Sequence, residues 1–294
     1  MNRISETFAM LFFAPIALLA ATAGAAPTKR SNTCLIPTNA GLVQITPKSS
    51  NAGWALSPDQ QCTAGSYCPY ACPPGQLMNQ WDLQATAYTT SESQNGGLYC
   101  NADGTVLKPF LNRDYCIDGT GTVSVDNTAG SEVAFCQTVL PGNEAMLIPN
   151  SISGGDTQTL AVPSADYWAS TAAHYYVNPL GVSTDDACVW GTSDKPQGNW
   201  SPYVAGANTD SSGNTYVKIG WNPKYVESFS DVPNFGLRIT CDDESQCNGL
   251  KCEINPSLGF NQVSAEDGSM ADGAAYCVVT AKDKASAKIE VFEA

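Results

Sequence analysis

The stretch from Asn199 to Pro223, NWSPYVAGANTDSSGNTYVKIGWNP, decides how this chain folds. Its second half alternates. Val217, Ile219 and Trp221 face one way, Tyr216 and Lys218 the other, which is the period of a half-buried strand. Between the halves lies Thr209-Asp210-Ser211-Ser212-Gly213-Asn214, a run of turn formers that cap their own backbone or accept positive φ. Pro202 lacks the amide that a ladder needs, so the upstream half is expected as an edge strand or a loop. On this reading Trp200, Tyr203, Tyr216 and Trp221 gather around one turn. An aromatic ring either fills a core or lies flat as an amphipathic platform, for example under the apolar face of a sugar. Four such rings around one turn predict a binding site that some of them line.

Short strand-like runs recur on both sides of this stretch, at 41–45, 121–125, 134–139, 145–148, 236–240, 275–280 and 287–292. Gly, Pro, Asn, Ser and Thr break the chain between them. No long segment keeps apolar residues at helical spacing; the best candidate for a short helix is 166–176, DYWASTAAHYY. Many short strands separated by turn signals predict a mainly β, antiparallel sandwich or barrel-like domain.

The N-terminus reads as a targeting segment. Arg3 precedes an apolar run from Leu11 to Ala21, followed by Ala23-Gly24-Ala25, so residues 1–26 are expected to be a signal peptide. Lys29-Arg30 is a dibasic pair, which makes 27–30 a short pro-segment and 31–294 the mature domain. Nothing downstream approaches the roughly 18 apolar residues of a membrane span. Removing residues 1–30 takes Lys plus Arg from 14 to 11 and Asp plus Glu from 28 to 27, so the net charge moves from −14 to −16. Such a chain repels phosphate backbones, which excludes nucleic acid as a partner and favours a neutral polysaccharide.

All twelve cysteines lie after the signal segment. An even count in an exported chain predicts up to six disulfides. Metal ligation is the rival reading, but export is oxidising and His174 is the single histidine. That ring is expected to hydrogen-bond a tyrosine or a backbone group. No metal and no cofactor is called for, and a monomer is expected. Nothing in the sequence suggests a Ser-His-Asp arrangement, so an esterase is not expected, and a copper oxygenase would need a second histidine and an N-terminal one.

Several blocks are long and distinctive: CTAGSYCPYACPPGQLMNQWD from Cys62, GGLYC ending at Cys100, AFCQTVLPGNEAMLIP from Ala134, TAAHYYVNP from Thr171, DACVWG from Asp186, and the opening stretch. Together they closely resemble the fungal SUN family of secreted cell-wall proteins, classed as glycoside hydrolase family 132. That family has the pattern C-x5-C-x3-C-x24-C; here the last gap is 27 residues, lengthened around 89–95, which implies a larger loop. The Ser/Thr-rich N-terminal stretch of better-known members is missing, so attachment through it is not expected. The resemblance implies a secreted, extracellular protein of the fungal cell wall that acts on β-1,3-glucan in septation and cell separation. It supplies no catalytic residues. The acidic, disulfide-rich β pattern also resembles thaumatin-like proteins, as a fold analogy.

Glycoside hydrolysis needs two carboxyl groups, one protonated as the acid and one acting as base or nucleophile. Glu144 stands in Pro-Gly-Asn-Glu, a tight turn between apolar runs. Asp210 stands on the aromatic-ringed turn. Asp82 follows Trp81, and an indole wall would raise the pKa of a neighbouring carboxyl, as an acid requires. These three are the candidate catalytic residues, with Asp186 behind them. Trp81, Trp200, Tyr203, Tyr216 and Trp221 are the candidate glucan platforms. The same rings without a carboxylate pair would make a non-catalytic glucan-binding protein, which is the alternative. The sequon Asn199-Trp200-Ser201 lies inside the proposed binding stretch, so it is expected to be unused or its Asn buried.

Overall fold

A computed structural model describes residues 32–84, 96–138, 147–167 and 171–294. The N-terminal part holds only short strands: β1 (Tyr67–Cys68), β2 (Gln76–Met78), β3 (Leu98–Cys100), β4 (Val106–Leu107) and β5 (Cys116–Asp118). Then come β6 (Val123–Asn127), β7 (Val133–Thr138), β8 (Leu147–Ile152), β9 (Thr157–Thr159) and β10 (Ala173–Val177). The helix α1 (Thr184–Ala187) precedes the hairpin of β11 (Tyr203–Thr209) and β12 (Thr215–Trp221), which leads into α2 (Pro223–Ser228). The remaining strands are β13 (Phe235–Cys241), β14 (Cys247–Asn248), β15 (Cys252–Ile254), β16 (Ser269–Ala271), β17 (Ala274–Ala281) and β18 (Ala287–Glu293).

Two open sheets make a sandwich, and neither closes into a barrel. The large sheet runs β14-β17-β12-β11-β10-β7-β8, with β16 also on β17; the small one runs β15-β13-β18-β6-β9. Their pairings are antiparallel except that β18 lies parallel to β6. The inner faces share one apolar cluster: Phe135, Tyr175, Tyr203, Val217, Ile219 and Trp221 from the large sheet meet Val125, Phe235, Leu237, Ile289 and Val291 from the small one. Alternation along β12 is as the sequence predicts, with Val217, Ile219 and Trp221 buried and Tyr216 outward.

Three local expectations are corrected. The upstream half of the opening stretch is neither edge nor loop: β11 pairs with β10 on one side and with β12 on the other. Pro202 falls just before the first ladder residue, so its missing amide interrupts nothing. Within 166–176 the described residues 173–177 form a strand, not a helix, because Ala173, Tyr175 and Val177 alternate into the core between β7 and β11. Residues 41–45 form only isolated bridges, Val43 to Ala71 and Ile45 to Gly53.

The N-terminal part has its own core around Trp54, Tyr70, Trp81 and Leu98, tied by Cys34–Cys100, Cys62–Cys68 and Cys72–Cys116. Cys136–Cys188, Cys241–Cys247 and Cys252–Cys277 complete six disulfides, and no cysteine is free. The sulfurs of Cys34, Cys62 and Cys100 crowd within 4.8 Å of one another, a spacing that would suit a metal, but all three are disulfide-bonded. No described helix is long and apolar enough to cross a membrane.

Candidate functional site

The β11–β12 turn is built around one carboxylate. Asp210 Oδ1 accepts from the amides of Ser212 and Asn214, both at 2.9 Å, and Oδ2 accepts from Asn214 Nδ2 and Tyr216 Oη, both at 3.0 Å. Gly213 takes the positive φ, +85°, that closes the turn. The Asn214 contacts first, with Tyr216 and Ser212 behind them, hold the Asp210 carboxyl below its ordinary range. Asp210 is therefore an anion that organises a loop. It is not poised as a proton donor.

Beneath this turn, threonine hydroxyls link the two sheets. Thr209 and Thr215 Oγ1 lie 3.0 Å apart, Thr215 donates to Thr122 at 2.9 Å, and Thr122 and Thr120 are 2.8 Å apart. Thr120, Thr122 and Thr209 line a groove of about 550 Å³, together with Ser164, Asp166, Asp210, Ser212, Lys284 and Ser286. A second hollow of about 290 Å³ shares Ser164 and Asp166 and extends the groove to Asn79, Arg113, Asp118 and Tyr167. The first hollow is rich in hydroxyls, and the two together carry three carboxylates (Asp118, Asp166, Asp210) and two cations (Arg113, Lys284). Asp118 accepts from Gln76 Nε2 at 2.9 Å. Asp166 is exposed, and no described residue hydrogen-bonds its side chain.

The other expected site residues are dispersed. Tyr203 and Trp221 are cross-strand partners at the end of the hairpin opposite Asp210, six ladder positions or roughly 20 Å from the Thr209–Thr215 pair at the turn. Both are buried: Tyr203 Oη donates to Phe235 O at 2.9 Å and Trp221 Nε1 to Gln262 O at 3.0 Å. Trp81 is buried edge-on to Tyr167, and the path of Gly96 leaves it room, since a Cβ there would stand 2.4 Å from the indole. Trp200 is half-buried, with Lys224 Nζ 5.8 Å from its ring centre. Tyr216 is exposed and is the one expected ring that lies beside the turn. Asp82 accepts from Tyr67 Oη at 3.0 Å and from the Gln84 amide at 2.9 Å, and the Tyr67 hydroxyl is pushed up to about 12 by burial and by that carboxylate. Asp186 accepts from Ser183 Oγ at 3.2 Å. Glu144 and the lengthened loop at 89–95 lie outside the described residues.

The sequon is buried, as expected. Asn199 is 8% exposed, its Oδ1 accepts from the Gly191 amide at 2.8 Å, and Ser201 is fully enclosed. Asn222 explains the end of the stretch: it caps α2 through the Lys224 amide at 3.0 Å and donates to Asn199 O and Ser201 O, both at 2.8 Å. Sequence reasoning missed Asp166, Asp118, Arg113 and Lys284. Asp118 ends β5 and the others sit on loops, with no motif around them, and only the fold brings them to one groove.

The molecule is a disulfide-tied β-sandwich with a hydroxyl- and carboxylate-lined groove at one end of its central hairpin. It belongs to the SUN family: the family model described as "Beta-glucosidase (SUN family)" matches residues 29–279. Its relatives include the uncharacterised protein YMR244W of Saccharomyces cerevisiae, 58% identical over 273 residues that make up 90% of this chain and 77% of that protein. The probable secreted beta-glucosidase adg3 of Schizosaccharomyces pombe is 53% identical, covering 88% of this chain and 23% of its own length. The probable secreted beta-glucosidase UTH1 of S. cerevisiae is 36% identical, covering 67% and 55%. The chain thus spans well under two thirds of these last two. Among solved structures, a thaumatin-like xylanase inhibitor aligns at 8% identity with a TM-score of 0.31, over 58% of this chain and 97% of that one. A likeness at that level carries no argument.

Proposed function

We propose that this chain is a secreted glycosidase of the fungal cell wall that hydrolyses or transfers β-1,3-linked glucan during wall remodelling, septation and cell separation. The observation that carries the reading is the groove, where Asp166 and Asp210 stand among serine and threonine hydroxyls in a member of a family described as beta-glucosidase. A neutral polysaccharide suits a lining rich in hydroxyls and of mixed charge. Asp210, held ionised by its turn, is suited to stabilise the positive charge that develops on the sugar in the transition state. Asp166, free of such a turn, is suited to act as base or nucleophile. Glu144 is retained as the proposed acid. Residues 1–30 are proposed to be removed on export, giving a form that begins near Ser31, with no free thiol. The experiment is release of oligosaccharides from soluble laminarin-type glucan by the purified chain. Asp166→Asn and Glu144→Gln should each abolish it while leaving the fold intact; wild-type turnover in either removes that residue from the mechanism.

One observation favours the second reading, a wall protein that binds β-glucan without cutting it. No Asp or Glu among the described residues is buried, so none has the apolar enclosure that keeps an acid protonated. Retention on insoluble glucan without any product from the soluble form would decide for it.

A further inference from the structure

The outer faces of the two sheets differ in a way that strand chemistry alone does not require. On the small sheet the outward row runs Glu253, Arg238, Glu290 and Asp126 across β15, β13, β18 and β6. Arg238 Nε lies 3.2 Å from Glu290, and Lys288 Nζ lies 2.7 Å from Asp242. That is the interspersed charge of an ordinary solvated face. On the large sheet, β10, β11, β12 and β17 contain no Asp or Glu at all, in a chain that has 28. Their outward rows are His174-Gly206-Lys218-Val278, Tyr176-Val204-Gly220-Tyr276 and Asn208-Tyr216-Thr280. Tyrosine enrichment with depletion of carboxylates marks surfaces that receive a partner.

The first row has a shape. Gly206 is the direct cross-strand partner of both His174 and Lys218, so two side chains stand either side of a position that has none. No side chain crowds the position above Gly206: a Cβ there would meet one atom within 4 Å, the Ala173 carbonyl oxygen, in a tight contact at 3.3 Å. The result is a trough one strand wide, with walls roughly 10 Å apart at the backbone. Lys218 Nζ rests 3.9 Å from the centre of the Tyr276 ring, which fixes both groups at the trough's side. His174 is exposed, Tyr216 is 37% and Val278 38% exposed, and Tyr276 and Tyr176 are half-buried. The face runs up to the groove, because Tyr216 Oη bonds Asp210, which lines it.

We infer that this outer face is a second glucan-binding surface, in which the trough over Gly206 between His174 and Lys218 holds one chain of a neutral β-glucan. Rings flank the trough, and imidazole, ammonium, amide and phenol groups offer donors and acceptors to sugar hydroxyls. Only Val204 and Val278 are aliphatic in these rows, too small an apolar area for a stable protein partner. The inference rests on the glucan reading given above, and it holds whether or not the groove cleaves.

The test is retention of the full mature chain on insoluble β-1,3-glucan. His174→Ala/Lys218→Ala removes the walls, Gly206→Gln fills the floor, and Asp166→Asn alters the groove alone. Both trough variants should lose retention by roughly tenfold or more, the equivalent of a few polar contacts. The thermal midpoint of the wall variant should stay near that of the wild type. Undiminished retention in both folded trough variants overturns the inference. So does loss confined to Asp166→Asn, which would leave the groove as the glucan site and the proposed function standing. A wild type that fails to bind glucan at all sinks the glucan reading together with this one. A wild type that is oligomeric, and becomes monomeric in the wall variant with retention unchanged, would make the face a contact between copies instead.

Discussion

Tyr216 Oη donates to Asp210 Oδ2 at 3.0 Å, across the turn that joins the two central strands. This contact gives a carboxylate expected to be catalytic a structural task in its own turn, and gives one expected sugar platform a second task. It couples the outer face of the large sheet to the rim of the groove. A depressed carboxyl pKa stabilises the fold above the ordinary carboxylate range, and that contribution is lost as pH falls through the lowered folded value. Asp210→Ala should therefore lower the thermal midpoint at neutral pH, and the gap to the wild type should close in strongly acidic buffer. Thermal unfolding of both proteins from neutral pH down to the acid limit checks this; a gap that widens on acidification would contradict it.

The buried and half-buried rings should part company on truncation. Trp221 is 1% exposed between Tyr203, Tyr225 and Phe260, so Trp221→Ala should cost about 3–5 kcal/mol of stability. Trp200→Ala, on a half-buried ring, should cost far less and leave a chain whose glucan retention can be measured. Denaturant titration ranks the two.

His174 offers an unambiguous titration because the chain has one histidine. Its side chain is exposed, yet the bulk of the sheet around it, and then Lys218, holds its pKa below the ordinary 6.5. Lys218→Met removes a neighbouring cation and should raise the midpoint. Imidazole chemical shifts against pH in the two proteins test both statements, and a wild-type midpoint above 6.5 would refute the first.

Disulfide removal should follow loop length. Cys34–Cys100 closes a separation of 66 residues and Cys62–Cys68 one of 6. In the chain-entropy account the first stabilises by about 4 kcal/mol and the second by about 2. Paired Cys→Ser variants compared by denaturant midpoint should show that order.

A glycan at Asn199 would need its side-chain nitrogen free, but the residue is buried and its oxygen holds the Gly191 amide. The secreted protein should show the same intact mass before and after enzymatic removal of N-glycans.

Much of the fold was legible in local pattern. Alternation identified β12, the even cysteine count anticipated six bridges, and the turn formers placed the hairpin tip at Asp210. What local pattern could not carry was distance. Tyr203 and Trp221 are close in sequence to the turn, but extended strands take them roughly 20 Å from it and into the core. Residues 173–177 contain helix-compatible alanine and tyrosine, and only their neighbours β7 and β11 make them a strand. The groove was least legible of all, because Asp118, Asp166 and Lys284 are dispersed over the chain and meet only after folding.

The parallel pairing of β18 with β6 sets an order of events during synthesis. Residues 287–293 sit between β13 and β6, in the middle of the small sheet, so that layer stays divided until they have left the ribosome. Until then β6 and β13 present unpaired edges, and the apolar side chains they send inward lack Ile289 and Val291. A premature stop before codon 287 would therefore remove a central strand and not a dispensable tail. Such a product should be held back and degraded along the export route, even though the central hairpin and all twelve cysteines are already present.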